Sequence, residues 1–187
     1  RAVSGLAGRG VEAHGVICDI TDRDQVQNLV AEAVDLYGRI DMVVNNAGVI
    51  QVGPADTFDE SHFTHAMDVM FWGPLHVSRA AMDHLCDSRG AIVNITSIGA
   101  YLTPPHLLPY GCAKHAQAAL SEGLAAETGG TGVQVTTVVP GLMRTGSHTG
   151  VTFSGDPERE YAWFAVAAGL PLLSVNARRA ARRIVAG

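Results

Sequence analysis

The residues best equipped for chemistry lie between Ser97 and Lys114, in the stretch S-I-G-A-Y-L-T-P-P-H-L-L-P-Y-G-C-A-K. It holds one hydroxyl (Ser97), one phenol (Tyr110) and one ammonium (Lys114). Tyr110 and Lys114 are four apart, so on a helix they share a face. Ser97 precedes them across a Pro-rich loop. Lys114 is the only lysine among the 13 basic residues, the rest being arginine. An ammonium is compact and its protonation can be tuned, whereas a guanidinium never gives up its proton. A free phenol titrates near 10 and is a poor acid or base at neutral pH, about 3 units away. A neighbouring ammonium is expected to lower that value. A tuned Tyr110 can exchange a proton with an alcohol or carbonyl oxygen, and Ser97 can hydrogen-bond the same oxygen. No side chain transfers hydride, so redox chemistry at that carbon needs a hydride carrier, and a nicotinamide would do so.

The elements that must position these groups read as alternating strands and helices. Residues 14–18 read as a short apolar strand ending at Asp19. Thr21, with Asp24 three residues on, reads as a helix cap. Val26, Leu29, Val30, Ala33, Val34 and Tyr37 give the helical period, and Gly38 ends it. Residues 41–44 read as a strand running into Asn45, Asn46, Ala47 and Gly48. A loop with Gly53 and Pro54 follows. Thr57 and Glu60 suggest a second capping box, opening a long helix to about Cys86 whose hydrogen bonding Pro74 should alter. Residues 91–96 read as a strand entering Ser97, 109–127 as a helix of small residues, and 133–139 as a strand reaching Pro140 and Gly141. Residues 142–155 read as a loop and 158–170 as a short helix. Ser174 reads as the cap of a last helix carrying Arg178, Arg179, Arg182 and Arg183, a solvated face. The alternation predicts one domain over residues 1–187, a doubly wound parallel sheet in a Rossmann-like three-layer arrangement. Ligands bind such sheets at the carboxyl ends of the strands. Asp19, Asn45 to Gly48, Ser97 and Pro140-Gly141 all fall at those ends.

Composition narrows the function. The net charge is −5, with 47% hydrophobic and 17% charged residues. These values fit a core-rich globular chain and argue against nucleic acid as partner. No apolar run is long enough to span a membrane, and the start of the chain lacks signal-peptide features. The three cysteines are scattered without a metal or redox spacing, which predicts a reducing, cytoplasmic setting. His62 and His65 share a helical face but have no third ligand nearby, so no metal site is expected. The Gly5 to Gly10 segment is not read as a dinucleotide loop, because no strand precedes it.

Asn45-Asn46-Ala47-Gly48, Ser97 followed by Tyr110-x-x-x-Lys114, and Pro140-Gly141 with Thr145 resemble, in this order, the classical short-chain dehydrogenases/reductases. The resemblance covers nearly the whole chain. It implies an NAD(P)-dependent oxidoreductase interconverting a secondary alcohol and a ketone, with NAD or NADP as cofactor. Tyr110 would be the general acid/base. Lys114 would tune it and bind the nicotinamide ribose, and Ser97 would orient the substrate oxygen. Asp19 and Ile20 would contact the adenine. Asn46, Ala47 and Gly48 would line the cofactor cleft with Pro140 and Gly141, and Thr145 would approach the carboxamide. The resemblance also implies pairing of long helices into homodimers or homotetramers. Two departures accompany it. The family's glycine-rich loop and first two strands are expected before Asp19, and its last strand after residue 187, so the chain reads as lacking them. Met70 stands where the family has a catalytic Asn, which predicts slower turnover or another proton route. A redox-neutral lyase or epimerase on the same scaffold, and a catalytically silent binding module, remain the alternatives. Leu102, Pro105, Leu107, Leu142, Met143, Trp163 and Phe164 suggest an apolar pocket for a small carbonyl or alcohol substrate. His106, Arg144 and His148 are candidates for its polar end.

Overall fold

A computed structural model describes residues 3, 6, 10–144, 150–169 and 175–186. Three strands form the main sheet: β1 (Met42–Asn45), β3 (Ala91–Ile95) and β4 (Gln134–Val138), all parallel, in the order β1-β3-β4. Each parallel step requires a helical crossover. The crossover from β1 to β3 uses α2 (Glu60–Met67) and α3 (Gly73–Ser88), and that from β3 to β4 uses α4 (Leu108–Glu127). This is the parallel, helix-flanked α/β sheet that the sequence pattern predicts. Val43 and Ile92 point into an apolar core with Ala81 and Leu85 of α3 and Val30 of α1 (Arg23–Tyr37).

One row of that core is polar. Asn45, Asn94 and Thr137 are in register across the sheet. Asn45 Nδ2 donates to Ser78 Oγ and Asn94 Oδ1, Asn94 Nδ2 donates to Ser121 Oγ at 2.9 Å, and Thr137 Oγ1 donates to the same oxygen. A linked buried network of this kind fixes the register of sheet against helices. It sets the height at which β3 releases Ser97.

Several elements differ from their sequence reading. Residues 14–18 are not a strand: no strand among the described residues runs beside them, and Ile17 is wholly exposed. His14 is tied instead to Glu32 of α1 at 2.7 Å. The α1 cap is Asp22 rather than Thr21, because its carboxylate reaches the amides of Asp24 and Gln25. Gly38 closes α1 at φ 76°, as its position suggested. Asp59, rather than Thr57, caps α2, in a box completed by His62. In both cases a carboxylate one or two residues further on takes the amides. The long helix is broken by a π-helical turn at Asp68–Trp72, with the amide of Gly73 bonded to the Asp68 carbonyl. Pro74, which has no amide to give, sits in the first turn of α3 just beyond it. Three short strands, β2 (Ile50–Val52), β5 (Met143–Arg144) and β6 (Val151–Phe153), lie in regions read as loop. β2 pairs in parallel with β6. A second short pair joins β5 to β7 (Val175–Asn176). Two helices complete the chain, α5 (Pro157–Gly169) and α6 (Ala177–Ala186). Ser174 and most of the Gly5 to Gly10 segment lie outside the described residues.

Candidate active site

Ser97 follows β3 with extended backbone and caps a short 3-10 turn, Ile98–Ala100, accepting the Gly99 amide at 3.0 Å. The Ile98 amide donates to the Pro140 carbonyl at 2.8 Å, which joins the ends of β3 and β4. Tyr110 lies in the first turn of α4, after Pro109. Gly111 lets that turn approach the preceding loop, since a Cβ there would overlap Thr103. Lys114, one turn on, is only 5% exposed. Its Nζ donates to the Ile95 carbonyl and to Gln117 Oε1, each at 2.9 Å, and lies 5.9 Å from the centre of the Tyr110 ring. The side chains picked out by spacing are therefore brought together by the ends of two strands and the start of one helix.

They adjoin a cavity of about 350 Å³. Asn46, Ser97, Tyr110, Pro140 and Gly141, all expected at the site, line it. Leu107, Leu142, Met143 and Phe164 supply apolar wall, joined by Ile50 of β2, which the sequence reading left in a loop. Gly48 is exposed beside those walls rather than among them, and a Cβ there would stand 3.5 Å from Met70 Sδ and 3.9 Å from Lys114 Nζ. Ala47 is exposed on the same turn. Asp19 and Ile20 are not among the cavity's walls. Ile20 packs on Gly73 at the start of α3, and its carbonyl is 3.3 Å from His76 Nδ1. Asp19 accepts the amide and hydroxyl of Thr21, which hold its carboxyl below the ordinary value. Leu102 is exposed, while Pro105 and Trp163 line a neighbouring depression. Thr145 and His148 lie outside the described residues.

Electrostatics depart from the simplest expectation. Burial pushes the Tyr110 phenol above its ordinary value, and a hydrogen bond with Ser97 opposes that shift. Burial and Ser97 are the two influences on the phenol, and the expected lowering by the ammonium is not among them. The same burial lowers Lys114 from 10.5 to about 8. At neutral pH the site thus holds a protonated phenol beside a charged but weakly solvated ammonium.

Two partners of the site escaped the sequence reading. Gln117 is fully buried and holds Lys114; its signal was a polar residue one turn beyond the lysine on a helix of small side chains. Glu160 of α5, also buried, accepts from His106 Nδ1 and from Trp163 Nε1, each at 2.7 Å. This clasp joins the loop before Tyr110 to the helix carrying Phe164. His106 itself has φ 67°, and its carbonyl receives the Gly53 amide. A pairing across 54 positions leaves no local signature.

Comparison with known proteins places this geometry among relatives. The family model described as short chain dehydrogenase matches residues 1–152. The chain is 34% identical over 144 residues to 11-beta-hydroxysteroid dehydrogenase 1A of Arabidopsis thaliana, covering 76% of this chain and 41% of that protein. A crystal structure of a short-chain dehydrogenase from Streptomyces avermitilis superposes with a TM-score of 0.86 at 28% identity, over 99% of this chain and 70% of that one. A gluconate 5-dehydrogenase from Burkholderia cenocepacia J2315, solved with NADP and tartrate, gives a TM-score of 0.72 at 29% identity, over 77% of this chain and 57% of that one. The chain spans 41% of the length of one curated relative and 70% of another.

Proposed function

The chain belongs to the short-chain dehydrogenase family, and on that premise we propose that it serves an NAD- or NADP-dependent oxidoreductase interconverting a secondary alcohol and a ketone. The observation that carries this reading is the cavity wall where Ser97 hydrogen-bonds Tyr110 and Lys114 stands behind the phenol ring.

The residues present suit the nicotinamide half of a dinucleotide. Gly48 leaves the space beside Lys114 free of a side chain, and nothing stands within 4 Å of where a Cβ of Gly141 would be. Asn46, Gly48, Tyr110, Lys114, Pro140 and Gly141 would hold that half, with Ala47 on the same turn. Asp19 and Ile20, beside the start of α3, would meet the adenine end, and Thr145 would meet the carboxamide. When bound, the dinucleotide supplies or accepts the hydride. In the reductive direction Tyr110 gives its phenolic proton to the carbonyl oxygen. Ser97 donates a hydrogen bond to the same oxygen and fixes its position. Lys114 stabilises the phenolate left behind. The apolar wall keeps water from the reacting carbon and favours an apolar carbonyl substrate.

Met70 is fully buried in the π-helical turn, packed with Ala66 and Ala113. A thioether is a weak acceptor and no donor. It cannot hold a proton-relaying water as an amide would, so slow turnover is expected. Cys112, Ala116, Ala119, Gly123 and Ala126 form a stripe of small residues on the outer side of α4, which suits close helix pairing in a homodimer or homotetramer. Three free cysteines suit a reducing cytoplasm. No helix among the described residues is long and apolar enough to cross a membrane.

The test is turnover of NADH and NADPH by the intact protein with a panel of cyclic and lipid-like ketones. Tyr110→Phe is expected to lower turnover by about 10²–10⁴-fold while dinucleotide binding persists. Binding without Tyr110-dependent turnover across the panel would instead favour a silent module, and a product formed without net dinucleotide oxidation a lyase or epimerase.

A further inference from the structure

Lys114 has three N–H donors and few partners. One bond goes to the Ile95 carbonyl of β3 and one to Gln117 Oε1, both at 2.9 Å. The Tyr110 ring centre lies 5.9 Å from Nζ, and Nζ stands 3.9 Å from where a Cβ of Gly48 would be. Among the described residues no carboxylate pairs with it. A neutral carbonyl and a neutral amide therefore carry the whole acceptor load of a buried cation.

Gln117 is itself fully buried, and its Nε2 has no hydrogen-bond partner among the described residues. A buried amide nitrogen in that state costs stability, a cost that a leucine of similar volume would avoid. Its oxygen must be the atom facing Lys114, because an ammonium can only donate. What the side chain contributes is thus concentrated in that one bond.

We propose that Gln117 is the positioning residue of Lys114: its carbonyl holds the ammonium in the charged form and fixes it beside Gly48, leaving one N–H for the cleft. What the held charge then does rests on the oxidoreductase reading, but the holding itself is measurable without turnover. No hydrogen bond from Tyr110 or Met70 substitutes for it, since neither is an acceptor within reach of Nζ among the bonds described.

Lys114 is the only lysine of the sequence. Labelling the protein with lysine enriched in carbon-13 at Cε gives it a resonance identified by its loss in Lys114→Arg. In the wild type that resonance is expected to titrate at about 8. Gln117→Leu is expected to move the midpoint down by about one pH unit, since it removes an acceptor from a charged group. Gln117→Glu is expected to move it up, because a carboxylate favours the ammonium more strongly than an amide. With NADPH and a ketone that the wild type reduces, the alkaline limb of the pH–rate profile moves in the same directions. In Gln117→Leu the loss then falls on kcat, with KM for the ketone retained. A folded Gln117→Leu protein whose lysine titrates as the wild type does overturns the proposal. If Gln117→Leu does not fold, Gln117→Glu decides, and an unmoved or lowered midpoint overturns it. Midpoints that move as expected in a protein without nicotinamide-dependent turnover uphold the Lys114–Gln117 coupling and overturn only the oxidoreductase reading.

Discussion

Tyr110 keeps its proton at neutral pH: a free phenol titrates at about 10, and burial pushes this one further up against the hydrogen bond with Ser97. The side chain is thus set to act as an acid, which suits carbonyl reduction, while alcohol oxidation must first remove that proton. Reduction needs both a protonated phenol and a charged Lys114. Its rate is therefore expected to hold up to pH about 8 and fall above it. Oxidation is expected to peak at higher pH than reduction. Initial rates in both directions across a buffer series check this, and a reduction rate that climbs beyond pH 8 contradicts it. Lys114 also carries a linkage prediction. Its folded pKa of about 8 lies below its unfolded value of 10.5, so the folded chain binds that proton less tightly. Its contribution to stability is full above 10.5 and is lost as pH falls through 8. Keeping the buried charge at pH 7 costs about 3 kcal/mol. Lys114→Met removes this titration, so the rise in thermal midpoint that the wild type shows between pH 8 and 10.5 is expected to be missing in the variant, which also loses turnover. A variant whose midpoint rises with pH as the wild type's does sinks this prediction. The Tyr110–Lys114 pair was legible in sequence because one helical turn is a local relation. Gln117 was not, because its importance depends on being buried under β3, and burial is a tertiary property.

The elements place these groups by close approaches that the sequence shows only in part. Gly111 opens α4 against Thr103, so Gly111→Ala is expected to push the 3-10 turn and its loop off the helix start. The expected result is a lower kcat/KM with a lower thermal midpoint, measured by steady-state kinetics and calorimetry. Unchanged values of both would show that Thr103 can step aside freely. The capping differences follow a single physical pattern: Asp22 and Asp59 offer carboxylates where Thr21 and Thr57 offer hydroxyls, and the charged acceptors take the helix amides. The hydrophobic period gave α1 and α4 to within a residue or two, since each buries a stripe of its own sequence. The β2–β6 pair was missed because Ile50 meets Val151, a contact that local patterning does not encode. Residues 14–18 show the reverse case. Their apolar pattern is that of a strand, but a strand is defined by its ladder, and no partner lies beside them among the described residues.

At the scale of the molecule, the sheet gathers Asn46, Ser97, Pro140 and Gly141 at one edge, and α4 brings Tyr110 and Lys114 to meet them. The apolar wall is built from more distant pieces, with Ile50, Leu107 and Phe164 joined around the His106–Glu160–Trp163 clasp. Sequence order predicted the first set, because the strand ends of a parallel sheet share one edge by construction. In the second, Leu107 and Phe164 were suggested by the sequence, and the folded chain adds Ile50 and the clasp. The central claim is that this edge moves a hydride to a carbonyl carbon and a proton from Tyr110 to its oxygen. The most direct measurement gives the intact protein NADH or NADPH fully deuterated at C4 and a ketone, and locates deuterium in the alcohol by mass spectrometry. The account predicts one deuteron on the carbinol carbon with the wild type and none above background with Tyr110→Phe. A protein that binds the dinucleotide yet transfers no label, or transfers it equally well without the phenol, would contradict it.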